Sequence, residues 1–210
     1  MNVTAIRVHL VRTSALLLTL AGIATTADQP TVRAILQPAN ERKAAPQFAL
    51  KDSSGNTIRL KNYHGRVVLL DFWATWCTGC KKEIPWFSEF QRTYGAQGLA
   101  VVGVSMDEGG WNSVKPFLAE THVPYPMLLG DDPMAQQYGI QNLPDTFLID
   151  RQGRVAAAYL SGLVDKDDVE ANIKALLSQR SRLSAAPVTW PKNAQTGNLT
   201  ATPRAPDSWR

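Results

Sequence analysis

The chain has 210 residues, 44% hydrophobic and 19% charged, which is enough to bury one ordinary core and favours a single domain with extensions. Its net charge of +4 belongs to the ends, with Arg7 and Arg12 at the start and Lys192, Arg204 and Arg210 against Asp207 at the finish. Taking these from 22 basic and 18 acidic residues leaves 17 of each between 28 and 182, and so formally neutral a body excludes a nucleic-acid-binding face.

The chain opens with Arg7, His9 and Arg12, followed by an uncharged run from Thr13 to Ala27 centred on Ala15–Leu20. This pattern predicts a secretory signal over 1–27. A spanning helix needs about 20 apolar residues, and this run is shorter and diluted by Ser and Thr, so an uncleaved membrane anchor is the alternative. Either way the expected location is the bacterial periplasm or the cell surface, where disulfides persist. Residues 28–44 lack strong periodicity and are expected to be a linker.

The first folded signal is Phe48–Leu50, the turn residues Asp52–Asn56, then Thr57–Leu60, a β-hairpin pattern. Val67 to Trp73 is nearly continuously apolar, as for a central strand covered on both faces. Its one charge is Asp71. Ile84, Phe87, Phe90 and Tyr94 recur at spacings of three and four, predicting a helix that ends near Gly95 and is kinked by Pro85. Leu99–Val104 is a second buried strand. Val114, Phe117 and Leu118 predict a second helix, with Pro116 in its first turn behind Ser113. A short strand at Met127–Leu129 and a short helix from Pro133 to Tyr138, closed by Gly139, follow. Thr146–Ile149 and Val155–Tyr159 form an antiparallel pair around Gly153. Asp165 is expected to cap a last helix whose inner face is Val169, Ile173, Leu176 and Leu177. Strands alternating with helices indicate an α/β sheet covered on both faces. From about residue 183 to 210 the chain is rich in Ala, Pro, Thr and Ser without periodicity, and a disordered tail is expected. Trp190 and Trp209 there are expected to be solvent-exposed rather than anchors, and Asn198-Leu-Thr200 is formally a glycosylation site.

Cys77 and Cys80 are the only cysteines. Two intervening residues let the first turn of a helix bring both sulfurs within bonding distance, which points to dithiol–disulfide exchange. A thiolate is the nucleophile in that chemistry, and a helix N-terminus with Lys81 and Lys82 nearby favours the anion. Cys77, preceding the helix body, is therefore assigned as nucleophile and Cys80 as resolving thiol. A purely structural bridge across so small a ring would contribute only about 2 kcal/mol. No metal is expected, because His9, His64 and His122 have no ligand spacing with the cysteines. Lys81 stands where haem attachment needs a histidine, and no cofactor is expected beyond the cysteine pair itself. Asp71, six residues before Cys77, is a candidate proton relay for Cys80. Glu83 lies one helical turn after Cys80 and is expected either to tune the pair or to be an exposed first-turn residue.

The run Asp71-Phe-Trp-Ala-Thr-Trp76-Cys77-Thr-Gly-Cys80-Lys-Lys-Glu83-Ile-Pro85, together with Leu143-Pro144-Asp145-Thr-Phe-Leu-Ile149, resembles the exported thiol–disulfide oxidoreductases of the TlpA/ResA/DsbE-like group. The resemblance covers about residues 45 to 180 and implies a thioredoxin-like fold over 45–182, with an N-terminal β-hairpin, a central mixed sheet and an insertion between Met106 and Tyr138. It implies that Pro144 is a cis-proline facing the cysteines, with Trp76, Leu143, Pro144 and Asp145 on the substrate side. It further implies reduction of disulfides in exported proteins, apocytochrome c among them, with electrons from a membrane donor. Asp145 resembles the acidic residue of the cytochrome-maturation branch, whereas Asp71 resembles the buried Asp of thioredoxin. Two other readings compete. A peroxiredoxin-like peroxidase would carry Pro and Thr or Ser where this chain has Leu70 and Ala74, and a non-catalytic peptide-binding or chaperone module would not need its cysteines.

Overall fold

The computed structural model describes residues 30–184, with side chains to 179. The expected leader over 1–27 and the expected tail beyond Ser184, with Trp190, Trp209 and Asn198, lie outside the described residues. The hairpin is β1 (Ala49–Lys51) paired antiparallel with β2 (Thr57–Arg59). Its turn is held by the Asp52 carboxylate, which accepts from the Ser54 and Asn56 amides at 2.9 and 2.8 Å, while Gly55 takes the left-handed conformation that such a turn asks of glycine.

The main sheet holds β3 (Val67–Trp73), β4 (Leu99–Ser105), β5 (Met127–Leu129), β6 (Asp145–Ile149) and β7 (Val155–Tyr159), in the order β5-β4-β3-β6-β7. The β3, β4 and β5 strands are parallel, whereas β6 and β7 run antiparallel. Every residue of β3 and β4 is buried, which is what two covered faces demand. Side chains of successive strand residues point to opposite faces. Val67, Leu69 and Trp73 accordingly join one core with α1 (Thr78–Tyr94), α4 (Lys166–Ser184) and Val114 of α2 (Trp111–Thr121). On the other face Val68, Leu70 and Phe72 meet the hairpin and α3 (Asp132–Tyr138). Asp71 shares its parity with Leu69 and Trp73 and so lies on the α1 side.

The helix stop and start signals hold for three helices. The α1 helix ends at Tyr94 and runs on through Pro85. The Asp131 carboxylate caps α3, and Gly139 closes it with a φ of 71°. Asp165 caps α4 through the Asp168 amide at 3.1 Å, and Val169, Ile173, Leu176 and Leu177 are all buried. The exception is α2, which begins at Trp111 behind Gly110, so Pro116 stands in its second turn rather than its first. The missing proline donor leaves the Asn112 carbonyl without its helical partner, a loss tolerated on this partly exposed helix.

The segment expected as a linker is, from residue 31 on, bound along the domain. Val32, Ala34 and Leu36 pack against the α1-side core, and the amides of Gln37 and Ala45 donate to the Ala156 and Gly153 carbonyls. Arg42 is buried and pairs with Asp150 at 3.2 Å. The inward side chains alternate with outward ones, but Ile35, 93% exposed, is an apolar residue on the outer side and hides that alternation from a hydropathy reading.

Candidate active site

The parallel strands β3 and β4 end side by side, with Trp73 in register with Ser105, so the loops that leave them are neighbours. Asp107, buried after β4, accepts from the Thr75 amide at 2.9 Å, from the Thr75 hydroxyl at 2.5 Å and from the Ser105 hydroxyl at 2.8 Å. This clamp holds the turn that presents Trp76 and Cys77. Cys77 is the N-cap of α1, and its sulfur accepts from the Cys80 amide at 3.1 Å. One of the helix's unpaired N–H groups is thereby turned on the sulfur, the local arrangement that favours a thiolate. The two cysteines form a disulfide. Cys77 is 5% exposed and Cys80 fully buried, so of the two only Cys77 reaches the surface at all.

The Leu143–Pro144 peptide bond is cis. A Cβ built on Gly79 would lie 3.2 Å from the Pro144 Cδ, which places the proline ring directly on the turn between the cysteines. Gly79 leaves that approach open. Trp76, 68% exposed, joins Leu143, Met106, Ala135 and Ile140 around an open groove of about 350 Å³. The insertion thus supplies one wall of that groove through α3 and the residues after it.

Three carboxyl groups, Asp71, Glu83 and Asp145, lie close enough to one another to interact. Asp71, paired across β6 with Thr146, is fully buried, accepts from the Thr146 hydroxyl at 3.5 Å and has no hydrogen-bond partner for its Oδ2. Burial pushes its carboxyl up to about 8 against the opposing pull of Thr146. Glu83, expected as either a tuning or an exposed residue, is also fully buried. It accepts from the Val164 amide at 2.7 Å. Burial first, and then repulsion from Asp71, push Glu83 up to about 9. Asp145 accepts from the Ser161 amide, and burial again holds its carboxyl above its ordinary range. The Tyr125 hydroxyl is pushed well above its ordinary range by burial and by repulsion from Asp71 and Glu83. Burial thus raises the proton affinity of all three carboxyls, and most strongly that of Asp71 and Glu83.

Sequence reasoning named the cysteines, Asp71, Glu83 and the Leu143–Asp145 loop, all of which meet at one end of the sheet. It missed the Asp107–Thr75 clamp, Tyr125 and the Ser161–Val164 loop. The adjacent ends of two parallel strands could have pointed to the clamp. For the other two, whose partners lie in separate elements, the sequence carries no local signal. His64 follows the 3-10 turn Leu60–Tyr63 ahead of β3, and His122 closes α2, both at the far end of the strands from the cysteines. Among the described residues no group of His, Cys, Asp and Glu could hold a metal ion.

The sequence pattern of the AhpC/TSA family matches residues 42–158. The thiol-disulfide oxidoreductase ResA of Geobacillus thermodenitrificans is 34% identical over 133 residues, 63% of this chain and 75% of that protein. ResA of Bacillus subtilis is 36% identical over 117 residues, 55% of this chain and 65% of that protein. Among solved structures, one described as a thiol:disulfide interchange protein DsbE from Chlorobium tepidum superposes with a TM-score of 0.61 at 34% identity, covering 65% of this chain and 96% of that one. With its bridged Cys-x-x-Cys turn at the start of α1, this chain belongs to the AhpC/TSA family and is a thioredoxin-fold thiol–disulfide oxidoreductase.

Proposed function

We propose that the protein is an exported disulfide reductase that acts on other exported proteins. In the reduced enzyme the Cys77 thiolate attacks a substrate disulfide, forming a bond from Cys77 to one substrate sulfur and releasing the other as a thiolate that takes up a proton. Cys80 then loses its proton to an ionised Asp71 or Glu83 carboxylate and attacks Cys77, releasing the second substrate sulfur, which takes up a proton, and leaving the Cys77–Cys80 disulfide. Two electrons and two protons pass to the substrate, and an external dithiol donor, in this reading membrane-bound, restores the enzyme. Asp71 and Glu83 serve as the proton store, while Trp76, Leu143, Pro144 and Asp145 line the docking side. An apocytochrome c before haem attachment is the finer substrate assignment, carried by the acidic Asp145 after the proline and by the resemblance to DsbE.

The observation that supports this reading best is the bridged Cys77–Cys80 turn at the start of α1, with Pro144 against it and Cys80 sealed more deeply than Cys77. The peroxidase alternative wants a hydroxyl three residues before the nucleophile, and there Ala74 is fully buried. Cys80→Ser should accumulate mixed disulfides on Cys77 with exported proteins. Absence of adducts under reducing flux would remove the protein-substrate assignment. A reduction potential near about −120 mV, rather than about −270 mV, would reverse the direction of electron flow. If activity survives in Cys77→Ser, Cys80→Ser, the non-catalytic binding module replaces both enzyme readings.

A further inference from the structure

The loop between β7 and α4 touches two of the site's three carboxyls, and Pro144, through its backbone. The Ser161 amide donates to Asp145, the Gly162 amide to the Pro144 carbonyl at 3.3 Å, and the Val164 amide to Glu83 at 2.7 Å. Ser161 adopts a φ of 60°, a left-handed conformation that few non-glycine residues take. The residues that follow it are held by the N-terminal strap. The Val32 amide donates to the Leu163 carbonyl at 2.7 Å, the Asp165 amide donates to the Val32 carbonyl at 2.9 Å, and the Val32 Cγ2 would lie 2.8 Å from a Cβ on Gly162. The strap is further tied beyond the loop, where Arg33 pairs with Asp168 and Asp165, and the Ala34 amide donates to Asp168.

We propose that Ser161–Val164 is a positioning loop for the proton transfers of disulfide exchange, and that Val32 of the strap sets its distance from Glu83 and Asp145. The inference rests on the exchange chemistry proposed above and adds to it a structural control of the acids. The groups facing Glu83 are Asp71 from β3, Asp145 from β6, Tyr125 from the segment before β5 and, in the reduced protein, the Cys80 thiol. All of these are acids, so none offers Glu83 a compensating positive charge. The Val164 amide is the donor that favours its ionised form. A loop moved away from Glu83 therefore makes that carboxyl harder to ionise.

Gly162→Ala provides the perturbation, since its new methyl meets the rigid Val32 side chain and must push the loop and strap apart. Val32→Ala removes that side chain but keeps both backbone bonds, so the Gly162→Ala, Val32→Ala pair should restore the spacing. The readout is the titration of the Glu83 carboxyl by carbon NMR in the oxidised protein, where the cysteines do not titrate, alongside the pH profile of exchange in the reduced protein. Gly162→Ala should shift the Glu83 midpoint by about half a unit or more. The pH at which exchange reaches half its plateau should move with it. The double variant should return both to wild-type values. A Gly162→Ala protein that loses thermal stability with both midpoints unchanged would show the loop to be scaffold alone, and a double variant that stays shifted would overturn the role of Val32. Wild-type protein without exchange activity would instead defeat the functional reading, while the oxidised-state titration would still test the loop.

Discussion

Asp71 should destabilise the protein at neutral pH, and Asp71→Asn should relieve that. Its carboxyl is fully buried and pushed up to about 8 by burial, from an ordinary value of 3.8. At pH 7 the folded chain therefore holds a proton there that the unfolded chain releases. Folding must take up that proton across about three pH units, each about 1.4 kcal/mol, which sets a ceiling of about 4 kcal/mol. Asparagine keeps an acceptor for Thr146, and its amide replaces the protonated carboxyl's own unpartnered O–H, so the unpaired-donor penalty is present in both proteins. We expect a net gain of about 2–4 kcal/mol at pH 7. The sign follows from the folded protein binding more protons than the unfolded one. Asp71's contribution to wild-type stability is fully present below about pH 4 and is lost as pH rises towards about 8, so the advantage of Asn should grow across that window and level off above it. Urea unfolding of the oxidised proteins at pH 4.5, 6, 7.5 and 9 would measure this. A gain of equal size at every pH, or a loss at pH 7.5, would refute the argument. The same substitution should slow exchange with disulfide substrates, because Asn cannot supply the ionised carboxylate that the proposed mechanism uses as proton acceptor.

Trp76→Ala should weaken use of peptide disulfides about tenfold, or about 1.4 kcal/mol, while reaction with a small disulfide such as oxidised dithiothreitol is unchanged. Parallel steady-state assays with the two substrates would separate docking from chemistry, and equal losses would remove Trp76 from the docking surface. Arg42→Ala should destabilise the fold by about 2 kcal/mol, as Asp150 loses one buried cation but keeps Arg154 at 2.7 Å. Burial raises the Asp150 carboxyl, but its hydrogen bonds to Arg154, Arg42 and Gln152 outweigh that and hold it below its ordinary range. The pair's contribution is therefore present above about pH 4 and fades as pH falls further, which denaturant titration at pH 3 and 6 would detect.

Periodicity and punctuation alone were sufficient for the strands of the main sheet, because continuous apolar runs such as Val67–Trp73 have few ways to be buried. They were sufficient also for α1, α3 and α4, whose capping residues are local in sequence. The cysteine spacing made the chemistry legible for the same reason, since four consecutive residues decide whether two sulfurs can meet. The Leu143–Pro144 loop was legible only through resemblance, because a proline before a strand has no local mark that distinguishes a wall of an active site. The strap over residues 31–45 was not legible. Its irregular backbone is held by partners on β7 and α4 more than a hundred residues away, and an outward-facing Ile35 masks its alternation. Tertiary structure alone decided the state of the acids. Asp71 and Glu83 lie on different elements; Asp71 owes its proton affinity to burial, and Glu83 to burial and to repulsion from Asp71, quantities set by the packing of β3, α1 and the Val164 loop rather than by any spacing in the chain.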